Sequence, residues 1–157
     1  MNIRQATVSD FEAVKKITQE TIHAVYPKYY PAGAVRSFSD HHADENIMHD
    51  INAGIVYVLV TDDGEPSGTV TLTDNEVDRL FVLPEYQGMG YGRALLDFAE
   101  ERIAEVYDVI TLYASLPAKS IYLKRGYREV DYIKLDTGHG DFLCADVMEK
   151  KVLRGEG

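Results

Sequence analysis

Hydrophobic positions along the chain change period several times, and each change marks an element. Residues 3–8 read as a short strand. Phe11, Val14, Thr18, Ile22 and Val25 then recur at steps of three and four, which predicts one face of a helix; Ser9 and Glu12 supply a capping box at its start, and Pro27 ends it. An aromatic, turn-prone stretch over 26–31 leads to a second helix, from residue 45 or earlier to 53, with Gly54 as its cap. The period drops to two over 55–61 and 67–73, a hairpin about Asp62-Asp63-Gly64-Glu65, and a third strand covers 76–83. Helical spacing returns over 93–105, with Leu95, Phe98, Ala99, Arg102 and Val106 on one face. A strand over 109–114, a short helix over 117–125 ended by Gly126, and a hairpin of 127–135 with 142–149 about Thr137-Gly138-His139-Gly140 complete the pattern.

The order is β-α-α-β-β-β-α-β-α-β-β. Its strand-helix-strand-helix centre requires parallel pairing and the remainder is antiparallel, so the class is α/β with a mixed, mostly antiparallel sheet and flanking helices. One domain over 1–149 is expected, with 150–157 a frayed tail.

Charge narrows the partners. The 157 residues carry a formal net charge of -10, which argues against a broad face for nucleic acid or an anionic membrane. No apolar run approaches the ~20 residues of a membrane span, no targeting signal opens the chain, and one cysteine cannot staple a secreted scaffold. A cytoplasmic protein is expected. The charge is uneven: residues 1–78 hold 5 Lys/Arg against 13 Asp/Glu, net -8, and residues 79–157 hold 11 against 13, net -2. An anion should therefore be held by the second half and a cation met by the first.

The segment from Glu76 to Arg93 carries the chemistry. It runs strand, loop, helix start, and Gly88, Gly90 and Gly92 allow backbone N–H groups to converge on an anion at the positive end of the helix. The glycine spacing departs from the dinucleotide fingerprint, and the Lys-Ser/Thr of a Walker loop is missing. A purely structural glycine turn remains the alternative.

Gln87-x-x-Gly90-x-Gly92, with Leu80-Phe81-Val82-Leu83-Pro84-Glu85-Tyr86 before it, resembles the acetyl-CoA motif of the GNAT superfamily of N-acetyltransferases. Ala118-Lys-Ser-Ile-Tyr122-Leu-Lys-Arg-Gly126-Tyr127 is similar to a second family segment, and the element order matches the family's fold. One position departs: Ser115 stands where the family often has Asn.

The resemblance implies acetyl-CoA as cosubstrate, no metal, and direct transfer of acetyl to a primary amine. It implies that Gln87, Gly88, Met89, Gly90, Tyr91, Gly92 and Arg93 hold the pyrophosphate, and that Leu80, Phe81 and Val82 pair with the pantetheine arm. Ser115, Lys119 and Tyr122 would line the other wall, Lys119 being alternatively a surface lysine. Tyr122 takes the general-acid place, or packs and orients the thioester without titrating. Glu76, Asp78 or an ordered water removes the amine proton, the carboxylates being alternatively solvated or paired with Arg79.

The implied acceptor site takes in Tyr26, Tyr29 and Tyr30. With the acidic first half, it points to a small cationic amine such as a polyamine or aminosugar; a protein lysine or N-terminus is the rival, and an acetyl-CoA sensor without turnover the non-enzyme alternative. Family resemblance also allows a homodimer through the last hairpin. His41, His42 and His49 match no sharp metal pattern, Cys144 lacks a base, and His139 is a binding candidate in a turn.

Overall fold

The computed structural model describes residues 1–152. Helix initiation at the amino end falls two residues before the expected Ser9/Glu12 box. The Asp10 carboxylate accepts the Thr7 N–H at 2.8 Å and pairs with both terminal nitrogens of Arg4, at 2.8 and 2.9 Å. The hydrogen bonds from Arg4 are the largest influence in drawing the Asp10 carboxyl down to about 2. From there α1 runs Phe11–Val25, burying Val14, Ile17, Thr18, Thr21 and Ile22.

Where one helix was expected between α1 and the first hairpin there are two, α2 (Ala32–His41) and α3 (Asp44–Asn52). The strands are β1 (Asn2–Gln5), β2 (Val56–Val60), β3 (Pro66–Thr73), β4 (Glu76–Val82), β5 (Val109–Ala114), β6 (Arg128–Asp136) and β7 (Phe142–Lys151). The remaining helices are α4 (Tyr91–Ala104) and α5 (Lys119–Lys124). Val106 therefore lies past α4 and is exposed, and Ile103 takes its expected place in the core.

All seven strands form one sheet in the order β1-β2-β3-β4-β5-β7-β6. Among the described residues only β4 and β5 pair in parallel, and only through Glu76↔Thr111 and Val77↔Leu112; beyond these two pairs the strands part. Against one face pack Leu95, Leu96, Ala99 and Ile103 of α4. Against the other pack α1 to α3, through Ile17, Ile22 and Val35 on one side and Val14, Ile47 and Ile51 on the other. The expected frayed tail starts too early. Lys150 and Lys151 pair with Ile110 and Val109, and the Lys150 ammonium reaches Glu100 at 2.9 Å; the rest of that expectation, 153–157, lies outside the described residues.

Helix α2 follows Pro31 and has no capping side chain of its own. Its cap comes from the tip of the β6–β7 hairpin: Asp141 Oδ2 accepts the Gly33 N–H at 2.8 Å, and Thr137 donates to the other oxygen. A Cβ on Gly33 would lie 2.3 Å from the Asp141 carboxylate. Gly33→Ala is therefore expected to expel Asp141 and lower stability by about 1–2 kcal/mol, the worth of a lost cap. Denaturant unfolding measures it, and unchanged stability would show that the latch contributes nothing.

Candidate active site

Leu83 leads from β4 into the turn Pro84–Tyr86 and then the glycine loop. Gly88 and Gly90 take φ of 81° and 85°, where a side chain is strained, and a Cβ on either would meet nothing within 4 Å. The glycines thus serve backbone shape and ligand approach rather than packing. No side chain caps α4. Its first backbone bond is Ala94 N–H to Gly90 C=O at 3.0 Å, so the N–H groups of Tyr91, Gly92 and Arg93 precede any intrahelical acceptor. This is an anion cradle of the kind the spacing predicts.

Behind the cradle lies a cleft of about 350 Å³, where β4 and β5 have parted. Of the expected cofactor residues, Leu80, Phe81, Val82, Gln87, Gly88, Gly92 and Ser115 line it, as does Tyr26. Met89 is 61% exposed, and Tyr91 packs on Tyr86 with ring centres 6.2 Å apart. A larger cavity, about 420 Å³, opens between α1 and α2 beside His23, Tyr30 and Arg36, but the glycine loop does not line it. The smaller cleft is the candidate site.

Three expected contacts take other partners. Gln87 turns its amide back to donate to Val82 C=O at 3.0 Å, and Thr21 Oγ1 donates to the same oxygen at 3.3 Å. That carbonyl is committed within the chain, so an arm pairing with β4 would use the strand's other backbone groups. Lys119 does not line the cleft; its ammonium lies 2.8 Å from Glu129 and 3.0 Å from Asp146, the surface alternative.

Of the tyrosines expected at the acceptor site, Tyr26 lines the cleft and Tyr30 the larger cavity. Tyr26 and Tyr30 are buried, Tyr26 meeting Phe38 edge-on at 4.8 Å and Tyr30 tilted on it at 4.9 Å, while Tyr29 is exposed and lines neither cavity. Their hydroxyls stitch the α1–α2 connection to the end of β5. Tyr30 Oη accepts the Leu116 N–H at 2.7 Å, and Tyr26 shares a hydrogen bond with Ser115.

Ala118, just before α5, and Ile121 on it line the cleft; Tyr122 does not, being 8% exposed and edge-on to Tyr127 at 5.6 Å. Burial pushes the Tyr122 phenol up to about 12, so its proton is retained at neutral pH. Glu76 and Asp78, at the start of β4, do not line the cleft; burial first and the Asp78 charge second raise the Glu76 carboxyl above its ordinary value. Asp78 Oδ1 accepts the Arg79 N–H at 2.8 Å. The alternative that either carboxylate pairs with the Arg79 side chain is overturned, because that guanidinium reaches Asp50 instead, at 2.9 Å. No spacing rule links residues 50 and 79, and their pairing is invisible in sequence.

His41, His42 and Asp78 bring ligand-type atoms within 4.8 Å of one another. His42 Nδ1, however, accepts a hydrogen bond from Arg79 Nε at 3.2 Å, and burial holds the ring down at about 3. The neutral ring must then carry its proton on Nε2, and a metal could take His42 only by breaking this arrangement. Cys144, half-buried, shares a hydrogen bond with Tyr132, and His139 is exposed at the hairpin tip.

A sheet opened between its two parallel strands, with a glycine cradle at the mouth, defines the acyl-CoA-dependent acetyltransferase class. The family model for the acetyltransferase (GNAT) domain matches residues 15–140, and the chain belongs to that family. It is 27% identical to the peptidyl-lysine N-acetyltransferase YjaB of Salmonella typhimurium over 99 residues, 63% of this chain and 64% of that protein. The match thus spans just under two thirds of the relative's length. Among solved structures, a GCN5-related N-acetyltransferase from Rhodopseudomonas palustris superposes with a TM-score of 0.86 at 21% identity, covering 96% of this chain and 95% of that one. The PaiA N-acetyltransferase of Thermoplasma acidophilum, in complex with coenzyme A, gives 0.74 at 22%, covering 96% and 98%. Both share the fold.

Proposed function

We propose that the protein transfers acetyl from acetyl-CoA directly to a primary amine, most readily a small cationic one. The observation that carries this reading is the cleft where β4 and β5 part, with the glycine cradle at its mouth; the protonated Tyr122 phenol is on α5 next to cleft-lining Ile121, and Glu76 is on β4, the strand that gives the cleft Leu80, Phe81 and Val82. Backbone N–H groups of 88–93 hold the pyrophosphate, and Leu80 and Phe81 present β4 to the pantetheine arm. Glu76 takes the ammonium proton, directly or through water. The amine nitrogen then bonds to the thioester carbon, the C–S bond breaks, Tyr122 gives its proton to the departing thiolate, and the second amine proton, lost as the amide forms, returns to the Tyr122 oxygen.

A cationic acceptor follows from the carboxylates rather than from an aromatic cage. Glu76 and Asp78 share one face of β4, and the half of the chain around them is net -8. A peptidyl lysine carries the same ammonium, and the likeness to YjaB favours it as the second acceptor class. Thiol release from acetyl-CoA is expected with polyamines, aminosugars or lysine peptides, and to fall as salt rises. Neutral amino-acid amines outcompeting the polycations would sink the charge argument. Protection by acetyl-CoA against unfolding, with no amine turned over, would make the protein a sensor. Among the described residues no helix is long and apolar enough to cross a membrane.

A further inference from the structure

Strand β4 is irregular one residue past the Glu76/Asp78 pair. Thr71 opposes Asp78 and Thr69 opposes Phe81, so Arg79 and Leu80 together face Val70. Arg79 adopts a left-handed backbone, φ 44°, a strained region for a residue with a side chain. Its side chain is 2% exposed, and each part of the guanidinium has a partner. Nη2 donates to Asp50 Oδ2 at 2.9 Å, Nη1 to Thr71 Oγ1 at 2.9 Å and Nε to His42 Nδ1 at 3.2 Å.

None of these bonds goes to Glu76 or Asp78, although Asp78 is the adjacent residue and accepts the Arg79 backbone N–H. The Glu76 carboxylate makes no hydrogen bond or ion pair among the described residues. A buried cation beside two carboxylates ordinarily pairs with them, because an unpaired buried charge is costly. Here α3 supplies a different carboxylate. His42, from the end of α2, fills the space between with a neutral ring that meets Phe81 edge-on at 5.7 Å. The other titratable groups around Asp78 are His41, exposed on α2, and the Tyr26 phenol, which feels the Asp78 charge.

We propose that Asp50 is a positioning residue for the acceptor carboxylates. By holding the Arg79 guanidinium on α3, it leaves Glu76 and Asp78 free of a cationic partner and open to an amine and its proton. This rests on the acetyl-transfer reading above. Asp50 touches neither substrate nor cofactor in this scheme and acts only through Arg79.

Asp50→Asn keeps the shape and one acceptor oxygen for Nη2 but removes the charge. The uncompensated guanidinium is then expected to lower the Glu76 titration by ~0.5–1 pH unit, followed by ¹³C NMR of the side-chain carboxyl. The acid limb of kcat/KM moves down with it, kcat falls ~5-fold or more, and the KM for acetyl-CoA stays within about twofold. Asp50→Glu restores the profile. Arg79→Gln, which removes the cation and leaves Asp50 charged, moves the Glu76 titration the opposite way and stands as the test if Asp50→Asn does not fold.

The carboxyl titration needs no acceptor. Absence of turnover by the wild-type enzyme would remove the acetyl-transfer reading alone. An unmoved Glu76 titration in Asp50→Asn, or movement of both variants in the same direction, overturns the positioning role. So does a lowered Tm accompanied by wild-type kcat per folded molecule and a wild-type pH profile.

Discussion

Tyr122→Phe is expected to lower kcat by ~10²–10⁴ while leaving acetyl-CoA affinity within a few-fold, the effect of deleting a positioned general acid. The prediction rests on a separation of roles within one side chain. The ring packs edge-on against Tyr127, and phenylalanine keeps that contact, so Tm should barely change. The hydroxyl is the only part lost. Burial has pushed its titration up to about 12, which keeps it protonated wherever the enzyme works. A departing thiolate, with a reference pKa near ~8.5, is a weaker base than the phenolate, so transfer to it is uphill alone and is completed as the second amine proton returns to the phenol oxygen. Steady-state kinetics at saturating acetyl-CoA and amine, with calorimetric Kd measured alongside, checks the split. An unchanged kcat with chemistry rate-limiting would leave Tyr122 only the role of orienting the thioester.

The wall around that phenol is built from parts that sequence reads unequally. Gly88 and Gly90 were legible because a glycine there answers a local demand, a positive φ beside a helix start, and local demands leave local spacing. Strand β5 is likewise found at its expected limits, 109–114, since its apolar side chains alternate over a short run. Helix α2 was not legible. Its start is Pro31, its cap is an aspartate 108 residues away, and its buried positions are Gly33, Ala34 and Val35, too few and too small to impose a helical period. The packing of the tyrosines was not legible for a related reason: exposed and buried aromatic clusters have the same composition, and the structure buries Tyr26 and Tyr30 while Tyr26 still lines the cleft. The Arg79 side chain, expected as an alternative partner for Glu76 or Asp78, lies furthest from its reading. A β-bulge re-aims one side chain without altering the alternation of its neighbours, so Glu76 and Asp78 read correctly as one face while the arginine beside them left for α3.

Glu76→Gln should lower kcat by ~10- to 100-fold and raise Tm at pH 7, two changes in opposite directions. The sign follows from the direction of the shift. Burial and the neighbouring Asp78 raise the folded-state titration of Glu76 above its unfolded value, so the native state holds this proton more tightly than the unfolded chain. Its contribution to stability is greatest below the unfolded value, near ~4.3, and is lost as pH climbs through the folded one. At neutral pH the ionised carboxylate is therefore a burden on the fold, which glutamine relieves at nearly constant shape. A residue kept for packing would lose stability on replacement. Gaining it while losing turnover is the behaviour of a base held ready at the cost of the native state. In the wild type the same shift places the acid limb of the activity profile above the ordinary glutamate range, and the limb should disappear in Glu76→Gln. A variant that keeps the limb and most of kcat would pass the proton to Asp78 or to an ordered water.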